Sequence, residues 1–326
     1  NENPEGPLPE VVAAVREAAA GLNRYPDSAG WELTRALAGH LGVPNEAILL
    51  GNGSNEVLDI MIRALVSPGE NVVYAHPSFI VYRLTTDVHF QSGRPVPLDA
   101  GDKHDLPAMA HAVDERTKLL IVCNPNNPTG TYNTAAEFRA LLAAVPERVI
   151  VAVDEAYYEY VEAADYPQTL SLLAAHPNLV TLRTFSKIHS LAGLRVGYAV
   201  GHAELIGELQ KTREPFNVNA LAQAAALACL RHADRIPERA RRNREQLVWL
   251  AAELQRLGLP VTPSQTNFLL VRTPGRANAL SGALLKRGVI VRPMAGFGMG
   301  DDAIRISVGL PAENRRCVAA LEEILR

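Results

Sequence analysis

Short unbroken apolar runs alternate with longer stretches whose apolar residues recur every three or four positions. The runs are Ile48–Leu50, Asn71–Ala75, Pro95–Leu98, Leu119–Cys123, Val149–Val153, Leu179–Arg183 and Val196–Val200. Most are continuous in Val, Ile and Leu, the pattern of strands covered on both faces. Between them, Ser54–Leu65 sets Val57, Leu58, Met61, Ile62 and Leu65 on one helical face. Thr134–Ala144 and Ala203–Lys211 have the same period. This alternation predicts an α/β fold: a mostly parallel seven-stranded sheet between helices.

The character changes after about Glu214. Asn219–Leu230 is Ala-rich and helical, and Pro237–Leu257 is a long helix ended by Gly258 and Pro260. Short strands at Phe268–Val271, Val289–Arg292 and Ile304–Val308 then mix with helices at Ala277–Arg287 and Glu313–Leu325. These predict a smaller α+β unit. Pro9–Ala20 reads as an amphipathic helix, expected to pack with that unit.

Bulk properties narrow the function. A chain of 326 residues can hold two domains and a large core. A net charge of −3 gives no broad attraction to nucleic acid or to anionic membranes. Cys123, Cys229 and Cys317 are far apart and odd in number, which fits a reducing, cytoplasmic setting. No apolar run approaches the roughly 20 residues that span a bilayer, and no signal-peptide pattern opens the chain. The first residues are N-E-N-P without a Met, so upstream residues are expected.

Four segments carry candidate chemistry. In L-L-G-N-G-S-N-E-V-L (49–58) a strand meets Gly51, Gly53 and Ser54 and then a helix. This suits a phosphate cradle, and equally a strand–turn–helix corner capped by Ser54 or Asn55. C-N-P-N-N-P-T-G-T (123–131) makes a rigid turn at a strand's carboxyl end, where ligands of α/β sheets bind. Its three asparagines need hydrogen-bond partners. In V-A-V-D-E-A-Y-Y-E-Y (151–160), Asp154 closes an apolar strand, and a buried charge there needs a partner. In T-F-S-K-I-H-S-L-A-G-L-R (184–195), Lys187 follows a strand and Arg195 comes eight residues later. That lysine is either a solvated surface residue or an amine activated by burial. The acidic and histidine residues show no metal-ligand spacing, so no metal is expected. All four segments fall at one edge of one predicted sheet. An amine, a carboxylate and anion donors together suit pyridoxal phosphate.

N-P-N-N-P-T-G (124–130), D-E-A-Y (154–157) and S-K-x-x-x-L-A-G-L-R (186–195) resemble the fold-type-I, class I/II aminotransferases. N-E-N-P (1–4), R-Y-P-D (24–27), the G-x-G-S turn and V-I-V-R-P (289–293) are similar to the histidinol-phosphate branch. The match preserves order over nearly the whole chain. It implies a large cofactor-binding domain at 22–245, with 1–21 and 246–326 forming the smaller domain.

The resemblance also implies roles. Lys187 is the Schiff-base lysine and proton carrier, and Asp154 pairs with the pyridine nitrogen. Asn127 and Tyr157 bond the ring's 3-oxygen, Phe79 stacks on the ring, and Gly53, Ser54, Asn55, Ser186 and Arg195 hold the phosphate. Tyr25 reaches the phosphate of a neighbouring subunit, which implies a homodimer. Arg305 clamps the substrate carboxylate, Arg292 a substrate phosphate, and Asn127 also borders the substrate. The implied reaction moves an amine from L-histidinol phosphate to 2-oxoglutarate. An aromatic amino acid as donor, and decarboxylation of the threonine-phosphate type, are the alternatives. Glu5 stands where many relatives carry an aromatic or apolar residue beside the substrate, and His189 is unusual so close to the lysine.

Overall fold

The computed structural model describes residues 1–326. Seven strands form the main sheet: β1 (Ile48–Gly51), β2 (Asn71–His76), β3 (Ser92–Pro97), β4 (Thr117–Cys123), β5 (Ile150–Asp154), β6 (Leu179–Thr184) and β7 (Gly197–Gly201). Their order is β1-β7-β6-β5-β4-β2-β3. Only β7 runs against its neighbours; β2 to β6 are parallel. A second sheet, ordered β8-β10-β9, contains β8 (Phe268–Arg272), β9 (Arg292–Pro293) and β10 (Ala303–Ser307).

The helices are α1 (Pro9–Ala18), α2 (Trp31–Leu41), α3 (Ser54–Leu65), α4 (Val81–Val88), α5 (Leu106–His111), α6 (Ala135–Ala144), α7 (Ala203–Gln210), α8 (Ala220–Arg231), α9 (Ile236–Arg256), α10 (Ala277–Leu285) and α11 (Pro311–Leu325).

The strand pleat divides the core. Leu119, Ile121 and Ala152 join α3 on one face, while Leu120, Val122, Val151 and Val153 join Phe138 and Leu141 of α6 on the other. Both faces are covered, which is why the runs are continuously apolar. Helix α6 starts on a capping box: Thr134 accepts from the Glu137 amide, and the Glu137 carboxylate accepts from the Thr134 amide. The three-stranded sheet has its own core, with Leu247, Leu250 and Leu254 of α9 against Leu269, Val271, Ile304 and Ile306.

Two expectations are revised. Helix α1 is expected beside the smaller unit, yet Val11 shares a core with Leu33, Leu37, Leu50, Val200 and Ala222, under the seven-stranded sheet. The run Val289–Arg292 shrinks to a two-residue strand, Arg292–Pro293. The Val289 amide instead donates to the Leu284 carbonyl at the end of α10, which takes the start of that run out of the ladder. Helices α2, α4 and α5 have no counterpart in the sequence reading.

Candidate active site

The carboxyl ends of β4, β5 and β6 and the turn after β1 open onto a cavity of about 140 Å³. Cys123 and Asp154 are register partners at the ends of β4 and β5. Ser54, Asn55, Phe79, Asn127, Tyr157, Ser186, Lys187 and Arg195 complete most of the wall. The structure thus brings together nearly every predicted cofactor-contacting residue, from segments far apart in sequence.

The turn after β1 explains its glycines. Gly53 has φ 80°, and a Cβ on it would lie 2.6 Å from the Arg195 guanidinium. A Cβ on Gly197 would lie 2.6 Å from the Ser54 amide. Backbone amides and guanidinium are thus brought close enough together to flank a small anion. Helix α3 starts at Ser54 and has no side-chain cap, so neither Ser54 nor Asn55 is the cap that the sequence allows. Its first-turn N–H groups remain open to an anion. Ser186 is held nearby: Thr184 Oγ1 donates to its hydroxyl at 3.0 Å and accepts from its amide at 3.1 Å.

Asp154 is 2% exposed. Burial pushes its carboxyl pKa up, opposed by the Tyr82 hydroxyl, the Ala156 amide and Lys187. Tyr82 donates to Oδ2 at 2.8 Å and the Ala156 amide donates to Oδ1 at 3.1 Å. The adjacent Glu155 points away into a buried ion pair with Arg183, 2.9 Å long, under the ring of Tyr158. The two consecutive carboxylates therefore serve different surroundings. Lys187 is half-buried, with Nζ 5.4 Å from the centre of the Tyr157 ring. Burial first, then Arg305 and Arg195, lower its pKa to about 8. An amine so poised is partly neutral near physiological pH and able to attack a carbonyl.

The asparagine-rich turn resolves into staples and one reporter. Asn124 pairs with the Asn133 backbone through both ends of its amide. Asn126 accepts from Ser78 and donates to Thr129. Asn127 alone turns toward the site, where its Oδ1 accepts from Arg305. Arg305 lies between Phe268, 5.2 Å from its ring centre, and Phe297, at 5.7 Å. Its Nε is buried without a partner. On the neighbouring strand Arg292 is the register partner of Arg305, so both guanidinium stems leave the same face.

Other predicted positions lie elsewhere. Tyr25 is 83% exposed, stacked on Phe216 at 4.7 Å, and does not border the cavity of its own chain. Glu5 makes a two-pronged ion pair with Arg242 at 2.7 and 2.8 Å, with Arg239 Nε at 3.5 Å. Its charge is thus matched outside the cavity. His189 is mostly buried against Phe185, with Nε2 3.9 Å from Glu159. Burial drops its pKa to about 3 and raises that of Glu159 to about 7. Neither Glu5 nor His189 borders the cavity.

Sequence reasoning missed Tyr82, Thr184, Gly197 and the direct part of Asn1, whose amide donates to the Tyr157 hydroxyl and accepts from Arg305 at 3.5 Å. The signal for Tyr82 was its position three residues after Phe79, one helical turn away.

The donor set fits a planar, phosphorylated carbonyl compound with a basic ring nitrogen. The glycine cradle and open amides suit its phosphate, the buried carboxylate its ring nitrogen, and the low-pKa amine its carbonyl carbon. The pattern of aminotransferase class I and II matches residues 1–321. The chain belongs to the aminotransferase class I and II family. It is 45% identical to histidinol-phosphate aminotransferase 2 of Pseudomonas fluorescens over 325 residues, covering all of this chain and 87% of that one. Histidinol-phosphate aminotransferase of Anaeromyxobacter sp. is 44% identical, over all of this chain and 89% of the relative. The crystal structure of histidinol-phosphate aminotransferase from Sinorhizobium meliloti in complex with pyridoxal-5'-phosphate aligns with a TM-score of 0.93 at 31% identity, covering this whole chain and 89% of that one. Class membership makes the protein an aminotransferase, and the seven-stranded sheet with a small second sheet agrees with fold type I.

Proposed function

We propose that this aminotransferase uses pyridoxal phosphate to convert L-histidinol phosphate and 2-oxoglutarate into imidazole acetol phosphate and L-glutamate. The observation that carries the donor is that Arg292 is the register partner of Arg305, whose guanidinium donates to the cavity residue Asn127. Two guanidinium groups on one face suit an anionic substrate group, and the names of the relatives point the same way.

When bound, the cofactor supplies an electron-withdrawing ring that stabilises negative charge on the donor's Cα. The residues act as follows in this reading. Gly53, Ser54, Asn55, Ser186 and Arg195 hold the phosphate, Phe79 covers the ring, and Asp154 holds a proton on the ring nitrogen. Lys187 would hold the cofactor by its carbonyl carbon and would move the donor's Cα proton. Asn127 gives its oxygen to Arg305, which leaves its Nδ2 as donor to the 3-oxygen. Tyr157 accepts from Asn1, so its own proton is available for the same oxygen. Arg305 holds the carboxylate of 2-oxoglutarate or glutamate, and Arg292 the donor's phosphate. The reading includes a cytoplasmic homodimer in which Tyr25 reaches the neighbour's phosphate.

Borohydride reduction followed by peptide mapping tests the cofactor reading, and the label should fall on Lys187. Incubation with candidate donors and 2-oxoglutarate should yield glutamate; carbon dioxide without glutamate would move the protein to the decarboxylases. Comparing kcat/KM for histidinol phosphate, phenylalanine, tyrosine and leucine tests the donor. Equal values for phenylalanine and histidinol phosphate would remove it.

A further inference from the structure

We infer that Tyr82 is a positioning residue that sets where the proton lies between Asp154 and the cofactor's ring nitrogen, while bracing Phe79 edge-on. The inference rests on the cofactor reading above. Tyr82 lies in the first turn of α4 and is 1% exposed. Its hydroxyl donates to Asp154 Oδ2 at 2.8 Å across 72 residues of sequence. Its ring meets Phe79 at 5.7 Å and 86°. The turn is fixed from both ends: the Tyr82 amide donates to the Phe79 carbonyl at 3.1 Å, and Thr86 Oγ1 donates to the Tyr82 carbonyl at 2.7 Å. One residue thus touches both the acid and the aromatic assigned to the cofactor.

The choice of a phenol has a physical reason. Asp154 is buried, and an anion there needs donors. An arginine or lysine would supply charge, but would compete with a ring N–H⁺ for the same carboxylate. A neutral hydroxyl supplies one hydrogen bond and leaves lone pairs facing the cavity. By stabilising the anion it also lowers the basicity of Asp154. The shared proton is then held on the ring nitrogen, where it makes the ring an effective electron sink, rather than on the carboxylate. Burial keeps the Tyr82 hydroxyl protonated, well above its ordinary range, so it remains the donor.

The test replaces Tyr82 with donors of graded strength in the holoenzyme: Tyr82→Phe with none, and 4-aminophenylalanine at position 82 as a weaker donor of similar shape. Cofactor carrying ¹⁵N in its ring reports the proton's position by NMR at neutral pH. The wild type should show a pyridinium-like shift, 4-aminophenylalanine an intermediate one, and Tyr82→Phe a shift toward the unprotonated ring. Loss of a hydrogen bond to a charged group should lower kcat about tenfold, with KM for the donor changed less than twofold. Identical ¹⁵N shifts across the series, with cofactor bound, would overturn the inference while leaving the cofactor reading intact. A wild-type protein that takes up no cofactor would overturn both. Should Tyr82→Phe not fold, the shift of the 4-aminophenylalanine protein against wild type decides alone.

Discussion

Beside the seven-stranded sheet, Asp154, Ser186 and Ser54 are each less than a tenth exposed; Asp154 ends β5, Ser54 starts α3, and Ser186 lies in the turn after β6. On the three-stranded sheet, Arg292 is exposed on a two-residue edge strand. Arg305 is buried there, but leans on Phe297 from a loop with left-handed glycines at 298 and 300. The first region is held by buried hydrogen bonds at strand ends and turns, from Tyr82 and the Ala156 amide to Asp154 and between Thr184 and Ser186. The second is held by two aromatic faces and by Asn1 and Asn127, which belong to other parts of the chain. The difference implies a division of labour. The region assigned to the cofactor is preorganised, whereas the wall assigned to the substrate is built from long side chains on an edge. Substitutions in the first should affect every substrate alike, and those in the second should change the choice among substrates.

The largest effect tests the first half of that division. Lys187→Ala should lower kcat for every donor by on the order of a thousandfold and abolish the borohydride label; a donor-selective loss would break the division. Gly197→Ala comes next. Its Cβ would press on the Ser54 amide, and overpacking of about 1–3 kcal/mol should weaken cofactor binding roughly tenfold or more, read by absorbance titration. Arg292→Ala addresses the other wall. Loss of a charge-assisted contact should cost about tenfold in kcat/KM for a phosphorylated donor and less than twofold for phenylalanine. Equal losses for both would merge the two regions.

A pH experiment sharpens the contrast without substrate. The pKa of Lys187 is about 8 in the fold, against an ordinary 10.5. Between these values the unfolded chain binds more protons, so this group makes the cofactor-free protein more stable as pH rises from 8 to 10.5. Below pH 8 the cost of a buried ammonium is fully present. Cofactor-free Lys187→Met should therefore melt higher than wild type at pH 7, with the gap closing across that window. The smallest effect is expected at Glu5. Its carboxylate is matched by Arg242 and Arg239, so Glu5→Gln should leave kcat/KM within twofold. Its melting temperature should fall only slightly, as partly exposed ion pairs are worth about 0.2–1 kcal/mol.

The elements missed from sequence differ in cause. Helix α4 contains Val81, Thr85, Thr86 and Val88, all poor helix formers, and stands through the burial of Tyr82 and Thr86. Helix α5 is six residues long with a proline at its start, and α2 is bounded by left-handed glycines at 30 and 42. In α4 packing outweighs local preference and α5 is too short to show a period, whereas α2 carries good helix formers and a glycine stop that were legible and overlooked. Overlooking α4 also hid Tyr82, because its one local signal, a place three residues after Phe79, has meaning only once the helix is known.

The chain by itself determined the central strands β2, β4, β5 and β6, because residues covered on both faces must be apolar at successive positions; the edge strand β3, mostly exposed, starts at Ser92 rather than at the expected Pro95. It also determined which segments end at the sheet's ligand edge, since a lysine, a carboxylate and paired glycines interrupt those runs at strand ends. Only the tertiary structure decided the partners. Tyr82 meets Asp154 across 72 residues, Asn1 meets Tyr157 across 156, and Arg305 meets Asn127 across 178. Such pairs arise because burial forces polar groups to find donors or acceptors wherever folding brings them, and no local period encodes that choice.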